Sequence, residues 1–345
     1  MNKIAIIGAG WYGCHISTSL LKLGFDVKVY ESADDILTKA SGNNQNRLHL
    51  GLHYARHYGT RLQSRDGYQR FMERYPTLSS KAEHGNIYSI PKYESILDFF
   101  TYKSIMMSTG IEFNEIVNPD WSSNLEGSIN CNERVIEIEK SRTYFKSKLE
   151  DNLLLNTPVE SLEEKSDSVL INGENFDFVI DCTWGHFKKN RDDVFYEPTV
   201  LLYYETKENF PAFTLVDGPL ASIYPTETKG LYTLSSVPNT PMTQFDHPEK
   251  AREFINSNLP NEMLNSKITA MEEQIMKYVP QFKDTFTYVA PQYSIKTKVV
   301  GAFDDRSCSV INENRYISVM SGKIDTIFHA MERILYYIGS YEELK

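Results

Sequence analysis

The chain has 345 residues, 41% of them hydrophobic and 24% charged, with a formal net charge of -10. That length supports a large buried core and two domains rather than one, and an acidic balance without a clustered basic run excludes a nucleic-acid backbone as partner. The four cysteines are widely spaced with no CxxC pair, which argues against a disulfide framework or a metal site and for a reducing, cytoplasmic compartment; no signal peptide opens the chain, and no apolar stretch reaches the roughly 20 residues that span a bilayer.

Residues 3 to 31 read as strand, glycine turn, helix and second strand. Ile4 to Ile7 form an apolar strand, and Gly8, Gly10 and Gly13 complete a GxGxxG spacing directly after it. Gly24 stops the helix, and Phe25 to Tyr30 lead to Glu31. Glycines at these places allow a tight turn and close approach of a pyrophosphate, which then sits on the positive end of the helix. Glu31 follows Gly10 at about the 20-residue interval where an acidic side chain accepts hydrogen bonds from an adenosine ribose. An acidic residue there argues against a 2'-phosphate and leaves NAD or FAD.

An NAD domain would place a third parallel strand soon after, whereas SGNNQNRLHLGLHYARH intervenes at 41 to 57. It opens polar and then alternates with a period of two. Leu48, Leu50, Leu52 and Tyr54 fall on one face, and Arg47, His49, Gly51 and His53 on the other. A strand with its polar face in water would give the same pattern. A helical stretch follows up to Tyr75-Pro76, then a short strand at 85 to 92, a helix at 94 to 109, and VIEIEK as strand or turn before another helix.

FDFVIDCTWG, residues 176 to 185, has the pattern of a buried parallel strand whose end, at Thr183 and Gly185, abuts a ligand, or else of plain core. VLLYYET, FTLV, ASIYP and GLYTLSSV are expected strands of an antiparallel sheet in a domain inserted around 195 to 295. Tyr316 to Met320 form a last strand, Ser321-Gly322 a turn, and the residues from Ile324 onward a helix whose apolar stripe faces core. Gly322, Lys323 and the first helical amides would present positive potential to whatever lies above them.

Three of these pieces, GAGWYG, SGNNQNRLHLGLHY and SGKIDT, resemble in order the FAD-dependent oxidoreductases of the D-amino-acid oxidase superfamily, in their glycerol-3-phosphate dehydrogenase and 2-hydroxy-acid oxidase flavour. Ser41, His49, Gly51 and Tyr54 match one motif, and Gly322, Lys323 and Thr326 another. Leu50 and His53 stand where the glycerol-3-phosphate branch usually has glycine and arginine, so its phosphate recognition does not carry over, and no Cys or His matches a covalent flavin tether. The resemblance implies an α/β fold, a Rossmann-like FAD domain (1–85, 140–194 and 296–345) with an inserted α+β substrate domain on an antiparallel sheet (86–139 and 195–295). It implies noncovalent FAD held by Gly8, Gly10, Trp11, Tyr12, Gly13, Glu31, Ser41, Asn43, Asn46, Arg47, Leu48, Val159, Thr183, Gly185, Arg306, Ser321, Gly322, Lys323 and Ile324. The Arg47 to His53 polar face would look toward the flavin, with Gly51 leaving it room.

The expected reaction removes hydride from a C–H next to an amine or hydroxyl of a small, polar, anionic substrate, with an unidentified electron acceptor. An alcohol substrate needs a base, for which His49 or His53 is the candidate; an amine can arrive deprotonated. Arg306 is the candidate anion fork, the alternative being a salt bridge with Asp304 or Asp305. Tyr224 is a candidate hydrogen-bond donor, the alternative being a packed strand tyrosine. A flavoprotein catalysing a non-oxidative rearrangement, an NAD-dependent dehydrogenase and a non-enzymatic dinucleotide sensor are the competing readings.

Overall fold

A computed structural model describes residues 2–189, 191–301, 305–320 and 322–343. Two large sheets carry the architecture. The first has six strands in the order Ser309–Glu313, Tyr316–Met320, Phe178–Asp181, Lys3–Ile7, Asp26–Tyr30 and Leu153–Leu154. Its pairings are parallel except that of Ser309–Glu313 with Tyr316–Met320. The central strands are apolar on both faces because both are covered: on one, Trp11–Lys22 packs together with Ile138–Leu149 and Ile327–Glu343, burying Ile4, Ile6, Ile16, Leu20, Phe145 and Ile334 completely, and on the other Ala5, Ile7, Val179 and Tyr316 pack against Val169, Ile171 and Phe176. This is the Rossmann-like half expected, but its edge position beside Asp26–Tyr30 is filled by the short strand at 153–154 rather than by the segment after Glu31.

The second sheet has eight strands, in the order Thr287–Val299, Val194–Glu205, Leu231–Ser236, Ala221–Pro225, Ala212–Leu215, Asn86–Pro91, Leu125–Asn130 and Asn114–Ile116. All pairs are antiparallel except Asn86–Pro91 with Ala212–Leu215. Helices Asn261–Met276 and Phe282–Thr285 cover one face, where Met271, Ile275 and Phe282 bury against Leu202, Phe213 and Leu234.

Two sequence expectations are corrected, and one small sheet is added. The alternating run is a strand only over Arg47–Leu48; from His49 onward it is a looped segment with turns at Gly51–Tyr54 and Tyr54–His57. Gly51 has φ +105°, outside the strand region, and the Arg61 guanidinium ties the loop by donating to the carbonyls of Tyr54 and Ala55. The helix expected from 94 begins at Phe99, since Asp98 accepts the Thr101 amide as its N-cap. A three-stranded sheet of Leu162–Glu164, Val169–Ile171 and Glu174–Phe176 was not anticipated, its strands being too short to show a period. No helix among the described residues is long and apolar enough to cross a membrane.

Candidate active site

The glycine turn is built by close packing of strand and helix. Gly8 has φ +91°, and a Cβ at Gly13 would stand 1.9 Å from the Gly8 carbonyl oxygen. The helix begins at Gly10 with no side-chain cap and no acidic residue in its first turn, so its positive end is left to an anion. The Ser41 hydroxyl accepts the Trp11 amide at 3.1 Å, and a Cβ at Gly10 would lie 2.9 Å from that oxygen. Glu31 is buried at the end of the second strand, accepting the amides of Ala9 at 2.7 Å and Ala33 at 2.9 Å. A carboxylate accepts about four hydrogen bonds, so Glu31 can still serve a ribose. Thr183 completes the wall, its methyl 3.3 Å from a Cβ built at Gly8. The cradle therefore fits a dinucleotide through backbone groups and Glu31.

The other expected cofactor residues make these contacts within the chain. The Trp11 ring packs among Phe71, Tyr75 and Phe145, so only its backbone reaches the turn. The Tyr12 hydroxyl donates to the Lys323 carbonyl at 2.7 Å and lies 2.6 Å from Thr326 Oγ1, joining the first helix to the last turn. Asn43 donates to the carbonyls of Thr38 and Lys39, shaping its own loop. Leu48 is fully buried core, and Val159 packs partly buried beside Tyr30 and Ile7. Gly185, at φ +76°, has its carbonyl held by the Tyr196 hydroxyl. Gly51 is required by its backbone conformation and by the Arg61 carbonyl, whose oxygen lies 2.8 Å from a built Cβ. Ser321 lies outside the described residues. Ile324 opens the single 3-10 turn Ile324–Thr326.

The loop after Leu48 gathers a buried polar cluster. Arg47 lies 4.0 Å from the Tyr224 ring centroid and donates to Tyr88 Oη at 3.1 Å. Tyr224 is thus a packed platform: it donates to the Arg134 carbonyl and receives the Asn86 amide. His49 is buried, and its ring centroid is 5.9 Å from that of His53 and 5.5 Å from that of Tyr54. Burial, then the charges of Lys323 and Arg47, hold His49 well below the usual histidine range. Burial, then His49, Arg47 and Lys323, act on His53 in the same direction. Asn46 Oδ1, His49 Nδ1, His53 Nδ1 and the Tyr54 hydroxyl are buried without hydrogen-bond partners, so the cluster is equipped to hold a polar ligand.

The last turn faces this cluster. A Cβ at Gly322 would stand 1.7 Å from the Arg306 carbonyl, so residues 306–308 lie directly against the turn. Lys323 Nζ is 5.7 Å from the Tyr54 ring. Burial, reinforced by Lys296 and Arg306, lowers Lys323 from the usual lysine range, and burial raises Asp325. Lys296, on the Thr287–Val299 strand, is pushed down to about 8 by burial and by Lys298. The Arg306 side chain donates to the Asp305 carbonyl, and its backbone amide to Thr60.

Sequence reasoning missed Glu133, Tyr88, Lys296 and Asp325. Glu133 is one of several glutamates in CNERVIEIEK, and Lys296 one polar position in an alternating strand. Only Asp325, inside the SGKIDT motif, had a local signal.

Comparison with known proteins follows this geometry. The fold is similar over 99% of this chain and 95% of the other to glycine oxidase from Geobacillus kaustophilus, with a TM-score of 0.74 at 12% identity. It is similar over 96% of this chain and 94% of the other to L-alpha-glycerophosphate oxidase from Mycoplasma pneumoniae, with a TM-score of 0.72 at 12% identity. No family model matches the sequence. The FAD-dependent monooxygenase FPY4 of Fusarium mangiferae is 54% identical over 336 residues, spanning 97% of this chain and 90% of that protein. The fold is that of these two oxidases, and the relative FPY4 defines the class, an FAD-dependent oxidoreductase. Within that class the chain belongs to the family of the monooxygenase FPY4. FAD, not NAD, is accordingly the cofactor.

Proposed function

We propose that the protein oxidises a small anionic substrate by removing hydride from a C–H bond next to a hydroxyl or amine. One observation carries this reading: Lys323 lies over the Tyr54 ring beside buried His49 and half-buried His53, where the charges of Lys296, Arg306 and Arg47 act on it together against that of Asp325. Cations gathered in a desolvated pocket favour a ligand that brings negative charge. Bound FAD supplies the hydride acceptor. Gly8, Gly10, Gly13, Ser41 and Glu31 would hold it noncovalently, and Lys323 with the Gly322 turn would offer it positive potential. His49 and His53, kept neutral by burial, are competent to take a hydroxyl proton. On this reading segments 1–85, 140–194 and 296–345 bind FAD, and 86–139 with 195–295 shape the substrate.

A second reading, insertion of an oxygen atom from O₂, is favoured by the activity named for FPY4. Anaerobic mixing with a panel of small 2-hydroxy acids, amino acids and sugar acids separates the two. Bleaching of the flavin by a panel member alone supports direct oxidation. A flavin that stays yellow with every member, and bleaches only when a reduced nicotinamide is added, overturns it in favour of monooxygenation.

A further inference from the structure

The strand Arg134–Ile136 pairs antiparallel with Arg47–Leu48, Leu48 opposite Arg134. Continuing that register by one residue brings Glu133 opposite His49. The Glu133 side chain has no exposed surface, and its Oε1 lies 3.6 Å from His49 Nδ1. The same oxygen accepts the Leu50 amide at 2.8 Å, and Oε2 accepts the Tyr88 hydroxyl at 2.6 Å. Tyr88 in turn receives Arg47 at 3.1 Å. A carboxylate is thus clamped on two sides and left facing a histidine nitrogen that has no hydrogen-bond partner.

We propose that Glu133 is a positioning residue of this site, holding His49 in place and supplying the counter-charge that lets the histidine pair keep a proton. This rests on the reading that the histidines handle the substrate's proton. The groups facing His49 are Arg47 on the strand just before it, Lys323 on the last turn, and His53 and Tyr54 on its loop. A second positive charge beside Arg47 and Lys323 would be strongly opposed in a dry pocket. Glu133 is the carboxylate within ion-pair range of His49, and it interacts with His53 as well. At 3.6 Å the pair is longer than a hydrogen bond in the resting state, and it would close when the imidazole gains its proton.

The test uses FAD-loaded protein with ¹⁵N-labelled histidine, followed by NMR from pH 5 to 9 with the flavin oxidised and then photoreduced. His49→Gln assigns the signal. In the reduced wild type, His49 is expected to titrate within this range. Glu133→Gln, which keeps the side-chain shape, is expected to lower its midpoint by about one unit or more, roughly a tenfold loss of proton affinity. Glu133→Asp is expected to restore part of it, and melting temperatures to change little. An unmoved midpoint in Glu133→Gln, or a wild-type His49 neutral throughout, overturns the proposal. Should Glu133→Gln not fold, Tyr88→Phe removes a donor from the same carboxylate and is expected to raise the midpoint; no movement again overturns the proposal. A flavin left unreduced by every panel substrate would instead strike the functional reading while the Glu133–His49 coupling remained measurable.

Discussion

Gly67 lies so close to Asp325 that a Cβ added to it would stand 1.7 Å from the Asp325 carbonyl oxygen. The helix Tyr58–Arg74 is therefore seated directly on the turn that carries Lys323. Gly67→Ala is expected to cost about 1–3 kcal/mol by overpacking and to weaken FAD retention by displacing that turn. Gly59→Ala, with its nearest neighbour at 3.6 Å, is the control. Chemical denaturation and the flavin-to-protein absorbance ratio measure both; equal effects from the two would show that the seat has slack.

The nucleotide turn makes a sharper prediction. Gly13→Ala and Gly10→Val should each yield folded protein lacking flavin, the first by forcing helix and strand apart and the second by filling the space beside Ser41. In the wild type, acid precipitation should release all the flavin to the supernatant. Yellow colour kept in the washed pellet would show a covalent link.

Lys323→Met should leave FAD bound but lower the flavin's reduction potential, because a positive charge near the ring is lost. Sulfite, which adds negative charge to oxidised flavin, should bind about tenfold more weakly. Photometric titration reads both, and unchanged values would place the ammonium away from the ring.

His15 reports on pH. It is buried, 2.7 Å from the Tyr75 hydroxyl, and desolvation lowers it to about 3. An unfolded histidine takes its proton near pH 6.5, so the folded chain is fully favoured above that pH and loses stability as pH falls from about 6.5 toward 3. Between pH 7 and 5 the wild type should lose about 2 kcal/mol more than His15→Gln, which cannot titrate. Parallel curves for the two proteins would mean that water reaches the ring.

Leu52 tests the reading of the histidine loop as buried rather than half-solvated. It has no exposed surface, and the Tyr102 hydroxyl donates to its carbonyl. Leu52→Ala should cost roughly 2–5 kcal/mol through a cavity, against less than about 0.5 kcal/mol for Met107→Ala on the surface. Similar small losses from both would return the loop to solvent.

What the sequence disclosed divides along a physical line. Gly8, Gly10, Gly13 and Glu31 are fixed by local geometry: a turn, a close approach and a strand end, all set within one supersecondary unit. The turn at Gly322 and Lys323 was legible for the same reason. The run from His49 to Tyr54 misled because period-two alternation assumes one wet face, whereas here both sides are covered and Gly51 turns the chain. Glu133 was invisible because its meaning comes from pairing with a segment more than eighty residues away, shown by the Leu50 amide bond at a separation of 83. Tyr224 carries two readings in the sequence, a donor to the ligand or a packed strand tyrosine, because only its ring contact with Arg47, brought from a distant segment, shows how it packs.

The bond from the Tyr12 hydroxyl to the Lys323 carbonyl joins positions separated by 311 residues. On a ribosome adding about 5–20 residues per second, the partner of Tyr12 would follow on the order of 15–60 s later. During that interval the glycine turn and first helix exist without the turn that faces them, so tight FAD capture becomes a late event of synthesis.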